Sequence, residues 1–200
     1  AVAFFNGYGT EINQFAPGHP EWEDEQYKYL GKTTRILREN SSNFTSRHLT
    51  VLYPTLHDSI WVNHWPGAAK HVYTIFSLKP EGFDGPLLHT RERAGYHWMD
   101  LMHHEAAKVT KSIGGSHVSV SLDPFHKKWL GTNNEGEAGC LAELPELLNV
   151  SMNGYLLQVA ASQGTSIRIW KGVPDYASQP VEFKPGAQML DLRERFGRYE

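Results

Sequence analysis

Cysteine is almost absent from this chain, since Cys140 is the only one among 200 residues. A single cysteine cannot form an internal disulfide, and it cannot build a zinc site that depends on several thiolates. The sequence therefore excludes a disulfide-stapled scaffold and a cysteine-based metal centre. It leaves the redox compartment open.

The sequence also lacks long apolar runs and clusters of basic residues. No apolar stretch approaches the roughly 20 residues that a membrane-spanning helix needs, and the first residues do not form a signal-peptide pattern. The formal net charge is −3, and no run of like charge is present. These features argue against nucleic acid and against a membrane as partners, and the aromatic content of 12% favours a globular chain.

Alternation of apolar and polar residues dominates positions 61–101, which predicts half-buried β-strands separated by Gly, Pro and Asp. In the segment 70–78, Val72, Thr74 and Phe76 share one face of the predicted strand, and Tyr73 and Ile75 share the other. Because both faces carry large side chains, we expect both to be covered, as in a sandwich flanked by a further element.

The first 48 residues predict a different kind of unit. Residues 1–5 (AVAFF) have the composition of a short buried strand, and Asn6-Gly7-Tyr8-Gly9 predicts a turn after it. Acidic residues at the start and basic residues at the end of 21–40 predict a helix. Strand, loop and helix together would form one βα unit, which cannot make a sheet of its own.

From residue 49 onward the sequence is typical of an all-β chain. About seven short strands separated by turns predict an antiparallel β-sandwich over 49–148. A connector is expected near 145–150, followed by the start of a second β module over 149–200. The strands predicted in that module cover 155–161, 166–170, 181–184 and 188–192. The predicted fold class is thus mainly β, with an antiparallel sandwich preceded by a βα remnant of a barrel-type domain.

The loop after the first predicted strand is the most site-like stretch. In α/β folds the loops at the carboxyl ends of the strands carry the active site. Here the loop offers one carboxylate, Glu11, as a candidate catalytic group, and amides and a phenol that could bind sugar hydroxyls: Asn6, Tyr8, Asn13 and Gln14. The alternative is that Asn6 and the glycines only form the turn and that Glu11 is solvated. The GYG sequence does not complete a phosphate-binding fingerprint.

Eleven histidines raise the question of a metal site. The nearest clusters in sequence are His97 with His103, His104 and Glu105, and His57 with His64. Adjacent histidines on a strand point to opposite faces, and no HExxH or two-His-one-carboxylate spacing occurs. Hydrogen-bonded or solvated histidines are therefore the favoured interpretation, and we expect neither a bound metal nor another cofactor.

Tryptophan and tyrosine are frequent in the predicted sandwich and could form a platform for sugar stacking. The candidates for substrate contact are Trp22, Trp61 and Trp65. The alternative is that these rings belong to the core, because sandwich cores use Trp and Tyr heavily.

The order of several sequence segments in this chain resembles the order found in large bacterial glycoside-hydrolase-like proteins. FFNGYG and YLGKTTRILREN, followed by SSNFTSRHLTVLYPTLHDSIWVNHWPGAAKHVYTIFSL, resemble the end of a barrel catalytic domain that continues into a C-terminal β-sandwich. GPLL, GYHWMDL and IRIWKGVPDYASQPVEF resemble accessory modules of the same group. The resemblance implies a C-terminal portion of a (β/α)-barrel enzyme that acts on carbohydrate, in which Glu11 is the one carboxylate placed like a barrel-top residue.

Three functions remain open from the sequence. The leading hypothesis is an accessory β-sandwich portion of a carbohydrate-active enzyme, without a complete active site, because a glycosidase needs two placed carboxylates. Its expected partners are carbohydrate and a catalytic domain, in this protein or in another copy of it. The second hypothesis is a stand-alone carbohydrate-binding module, and the third is a metal-dependent enzyme that uses the histidines. The compartment stays open, with a secreted or periplasmic location as the expectation.

Overall fold

The computed structural model describes residues 1–9, 23–125, 136–172 and 179–197. Within them the chain forms two compact units, Ala1–Pro145 and Glu146–Glu200. Residues 1–48, which we predicted as a unit apart from the sandwich, lie in the first of these. None of the helices in the described part of the chain combines the length and apolar character that crossing a membrane requires.

In its described residues the first unit contains three helices and eight strands. The helices are α1 (Val2–Phe5), α2 (Glu23–Glu39) and α3 (Ser41–Phe44). The strands are β1 (Ile60–Pro66), β2 (His71–Ser77), β3 (Phe83–Thr90), β4 (Tyr96–Asp100), β5 (Glu105–Ala106), β6 (Val109–Ser112), β7 (Gly115–Leu122) and β8 (Glu137–Pro145).

Two antiparallel sheets organise this unit. One has five strands in the order β1-β2-β8-β4-β5, and the other has three in the order β3-β7-β6. The prediction of a mainly β chain with antiparallel sheets is confirmed. The strand β2 lies between β1 and β8, and it pairs with both along its whole length.

The five-stranded sheet is covered on both faces. On one face, here called the sheet-side face, Val62, Ile75 and Leu141 pack with residues of the three-stranded sheet such as Leu88 and Val118. The opposite or helix-side face carries Trp65, Val72, Cys140 and Ala142, which pack with Phe4 of α1 and Ile36 of α2. The expected burial of both faces of residues 70–78 is therefore present, since Val72, Thr74 and Ile75 are fully buried.

The N-terminal segment differs from its prediction, because residues 2–5 form the helix α1 and not a strand. The backbone N–H groups of Phe5 and Asn6 donate to the carbonyls of Ala1 and Val2, at 3.0 and 3.1 Å. The edge of β1 is not available to them, since Thr50 and Tyr53 already pair with it. A segment without a free strand edge satisfies its amides locally. The predicted strand of a barrel-type βα unit is thus wrong, and the helix predicted over 21–40 is confirmed over Glu23–Glu39 as α2.

The second unit contains five strands and one helix in its described part: β9 (Leu148–Asn153), β10 (Leu156–Ala161), β11 (Ile167–Ile169), β12 (Val181–Phe183), β13 (Ala187–Asp191) and α4 (Leu192–Phe196). The strands form a three-stranded sheet in the order β13-β10-β9 and the hairpin β11-β12. Asp191 begins α4 by accepting a hydrogen bond from the backbone N–H of Arg193.

Replacing Ile75 by Ala tests whether the sheet-side face holds the unit together. Ile75 is fully buried, so the truncation should lower the free energy of unfolding by about 2–5 kcal/mol in urea denaturation. Ile113 provides a control of the same residue type, because it is 99% exposed and Ile113→Ala should stay within about 0.5 kcal/mol of the unmodified chain. Equal effects of the two substitutions would contradict the packing described above.

Replacing Thr74 by Val tests the connection between α1 and the sheet. The buried Thr74 hydroxyl accepts from Trp65 Nε1 at 2.8 Å and donates to the carbonyl of Phe5 at 2.7 Å. Valine has nearly the same shape but leaves the indole N–H unpaired, which should cost about 1–3 kcal/mol of unfolding free energy. The control is Thr110→Val at an exposed position of β6. A neutral Thr74→Val variant would show that the hydroxyl has no structural role.

Candidate functional site

An open cleft of about 400 Å³ lies beside the start of β1. Nine residues between positions 52 and 61 line it, and they include Thr55, His57, Asp58 and Trp61. Its size is within the range of small-molecule sites. Residues that carry carboxylate, imidazole, hydroxyl and indole groups therefore line one solvent-accessible space.

The backbone around the cleft is fixed by hydrogen bonds to the sheets. Tyr53 donates its N–H to the carbonyl of Val62 at 2.7 Å, and Leu56 donates to the carbonyl of Leu87 at 2.9 Å. The Thr55 hydroxyl donates to the carbonyl of His57 at 2.8 Å. The segment is thus attached to strands of both sheets of the first unit.

Two residues of the cleft have a left-handed backbone although neither is a glycine. The φ angle is 51° at Leu52 and 65° at Ser59. A positive φ is unfavourable for a side chain as bulky as leucine, and such conformations collect at functional sites. The backbone amide of Leu52 donates to Asn63 Oδ1 at 3.1 Å, a contact that helps to hold this conformation. This backbone strain at Leu52 and Ser59 supports a functional role for the cleft.

Trp61 is the aromatic wall of this cleft. Its side chain is on the helix-side face, directly opposite Phe76 on β2, and the two rings stack with centroids 6.0 Å apart and an interplanar angle of 26°. Phe5 supports Phe76 from α1, with centroids 5.8 Å apart. Trp61 nevertheless remains 36% exposed. A flat ring that is supported behind and open in front can stack on a ligand.

The other predicted substrate contacts are placed differently. Trp65 is a correction, because its ring is only 4% exposed and packs against Phe44 in the core, where no sugar can reach it. The Asn6 side chain donates to the carbonyl of Val2 at 3.0 Å, so it closes the end of α1. Tyr8 is 57% exposed. Glu11, Asn13, Gln14 and Trp22 lie outside the described residues, and their roles stay predictions.

A second polar cluster lies on the sheet-side face and was missed in the sequence. His64 Nε2 of β1 is 3.1 Å from His71 Nδ1 of β2. Glu143 of β8 is the cross-strand neighbour of His71, and its Oε2 is 4.0 Å from the same Nδ1. Arg93 Nη1 lies 3.7 Å from that carboxylate oxygen. The sequence signal was the β1–β2 hairpin, whose register places positions 64 and 71 diagonally on one face.

Burial sets the protonation state of His64. Desolvation, with a smaller contribution from the neighbouring His71, lowers the pKa of His64 to about 4. His64 is therefore neutral at pH 7. Its ring also stacks on Tyr73, with centroids 4.4 Å apart and an interplanar angle of 9°, so its orientation is fixed.

The cluster of His97, His103 and His104, which lie close together in sequence, does not form a set of metal ligands. His103 Nδ1 lies 2.9 Å from Asp100 Oδ2, and His103 Nε2 lies 3.7 Å from Asp123 Oδ2. Asp100 Oδ1 also accepts from the backbone N–H groups of Met102 and His103, which makes it a turn-forming residue. Among the described residues, no group of three or more His, Cys, Asp or Glu side chains could hold a metal ion.

No protein-family model matches this chain, and comparisons with curated proteins and with solved structures returned no match. The function therefore has to be inferred from the residues and their geometry.

The pair of His103 and Asp100 predicts a pH-dependent contribution to stability. The hydrogen bond to Asp100 raises the pKa of His103 above its ordinary value of 6.5, so the folded state favours the imidazolium. This stabilisation is complete below the unfolded-state pKa and is lost as the pH rises through the folded-state pKa. His103→Gln should therefore lower the unfolding free energy more at pH 6 than at pH 9 in urea denaturation.

The control for that measurement is His48→Gln, a change at an exposed histidine. It should have the same small effect at both pH values. A deficit of His103→Gln that is equal at the two pH values, or larger at pH 9, would contradict the ion pair.

Proposed function

We propose that this chain is the accessory β-sandwich portion of a carbohydrate-active enzyme of glycoside-hydrolase type, and that it contacts glycan in the cleft at Trp61. Two antiparallel sheets with a shared core support the sandwich architecture. The resemblance of its sequence segments to accessory modules of glycoside-hydrolase-like proteins supports the enzyme class. The half-exposed, supported ring of Trp61 is the observation that carries the glycan contact.

The attachment of the N-terminal helices supports a role for this chain next to a catalytic domain. The carbonyl of Phe5 accepts hydrogen bonds from both Asn63 Nδ2 and Thr74 Oγ1. Asn43 Nδ2 donates to the carbonyls of Trp65 and Lys70, each at 2.9 Å. Buried hydrogen bonds of this kind hold a segment in one orientation, unlike a flexible linker. A domain attached through these helices would be held rigidly against the sheet.

The chemistry of the cleft suits a sugar. The indole face of Trp61 can pack on the C–H groups of a pyranose ring, and the exposed carboxylate of Asp58 can accept hydrogen bonds from its hydroxyls. In the described part of the first unit, the other tryptophans, Trp65 and Trp98, are buried. Trp61 is thus the exposed tryptophan among those described in this unit, which favours a local glycan contact over the broad aromatic platform of a stand-alone binding module.

The test is binding of the chain to a panel of soluble polysaccharides by affinity electrophoresis and calorimetry. Trp61→Ala removes the stacking surface and should weaken binding about tenfold or more, since burial of an aromatic side chain is worth about 1.5–3 kcal/mol. Trp61→Phe keeps a flat apolar face and should retain most of the affinity. Asp58→Asn keeps the size of the side chain and should weaken binding less than Trp61→Ala.

Tyr155→Ala provides the control, because Tyr155 is an exposed aromatic of the second unit, at 48% exposure. Binding should be unchanged in that variant. Loss of binding in Tyr155→Ala with retention in Trp61→Ala would move the contact to the second unit. Absence of binding to every polysaccharide would contradict the glycan contact.

A further inference from the structure

We propose that the strand β9 (Leu148–Asn153) is an interface with a second copy of this chain, in which the two β9 strands pair antiparallel about a twofold axis at Val150. The partner is therefore a chain of identical sequence. This interface does not rest on the glycan contact at Trp61, because it uses only residues of the second unit.

One edge of β9 has no partner among the described residues. The strand is the last in the order β13-β10-β9 and pairs with β10 alone. The carbonyl of Leu147 accepts from the N–H of Ser162 at 2.9 Å, so the odd-numbered residues of this stretch direct their backbone groups toward β10. The N–H and C=O groups of Leu148, Val150 and Met152 therefore face the open edge, where another strand can bind them.

The side chains of the same three residues form an exposed apolar row. Leu148, Val150 and Met152 are 58%, 55% and 67% exposed. They share a face with Val159 of β10, which is the cross-strand neighbour of Val150 and is only 4% exposed. The buried face of this sheet thus continues onto β9 and ends there uncovered. An apolar row on an open strand edge favours pairing with a further strand.

The sequence of β9 also lacks the features that prevent such pairing. LNVSMN contains no charged residue and no proline, and the pairing of β9 with β10 runs without a register shift. Edge strands that stay unpaired in other proteins usually carry a lysine, a proline or a β-bulge. Nothing in this strand therefore opposes the approach of another one.

The partner is a second copy because the strand is complementary to itself. When Val150 lies opposite Val150 of the second copy, Leu148 lies opposite Met152, and Asn149 lies opposite Ser151. Directly opposite residues of an antiparallel pair point to the same face, so apolar side chains meet apolar ones and polar side chains meet polar ones. The same register also brings together the backbone groups at the two open edges.

Charge favours this register as well. Glu146 is the only charged residue in the segment 145–155, and the twofold axis places it opposite Gly154 of the second copy. The two Glu146 residues would lie eight residues apart along the strands, about 26 Å, which exceeds the Debye length of about 8 Å at physiological salt. A strand of six residues is smaller than one side of a standard interface, so we expect a weak dimer.

Sedimentation equilibrium of the full chain from micromolar to millimolar concentration tests the dimer. We expect a monomer–dimer equilibrium with its midpoint in this range. Val150→Lys should raise the dissociation constant about tenfold or more, because it places like charges opposite each other and removes the apolar contact at the axis. A chain that stays monomeric at millimolar concentration, or full dimerisation of Val150→Lys, would overturn the interface.

Met189→Lys is the matched control for that variant. Met189 is 63% exposed, and it lies on β13, the strand at the opposite edge of the same sheet. This variant should dimerise as the unmodified chain does. Loss of the dimer in Met189→Lys with retention in Val150→Lys would place the contact on β13 and contradict the proposal.

Disulfide formation tests the register. Val150→Cys places two thiols opposite each other at the axis, with Cα atoms about 5.5 Å apart, which is within the range of a disulfide. Leu148→Cys is the control on the same face of the same strand, and its two copies would lie four residues apart, about 13 Å.

In oxidised glutathione, a covalent dimer should therefore form in Val150→Cys and not in Leu148→Cys. The native Cys140 is fully buried and is present in both variants. Equal cross-linking of the two variants, or none in either, would overturn the twofold pairing at Val150.

Discussion

The structure of the first unit depends on the burial of β2, in which five of the seven residues are buried. This strand gives its backbone hydrogen bonds to β1 on one side and to β8 on the other, and both of its faces are covered. A strand in that position needs apolar side chains at nearly every residue, and its polar groups need partners. Thr74 meets both requirements, because its methyl group packs in the core while its hydroxyl links Trp65 to Phe5.

Much of the β architecture could be predicted from alternation alone. The pattern at 70–78 indicated a strand with two covered faces, and β2 is that strand. The connector predicted near 145–150 overlaps the start of β9, although Leu148, Val150 and Met152 alternate as a strand does. The helix α1 was missed for a different reason. Five residues are too few to show a helical or strand periodicity. The occupied edge of β1 is a tertiary contact, which cannot be predicted from the composition of the segment.

The candidate sites show the same limit at the level of single residues. Trp61 and Trp65 are four positions apart on one strand, so alternation places them on the same face. Trp65 is buried because it packs in the helix-side core with Phe4, Val72 and Phe44, whereas Trp61 stays 36% exposed. The histidine pair depends on the register of the β1–β2 hairpin, which is set by the turn between positions 66 and 71 and not by any spacing motif.

The cleft and the histidine pair both use β1, and this strand keeps them independent. Trp61 belongs to the helix-side face and His64 to the sheet-side face, three residues further along, which is about 10 Å of strand. A ligand at the indole would therefore share no side chain with the histidine pair. Coupling between them would require a shift of β1 itself, and the pairing of β1 with β2 over all seven residues opposes such a shift. The rigidity that fixes the N-terminal helices on one face thus also fixes the spacing of the two histidines on the other.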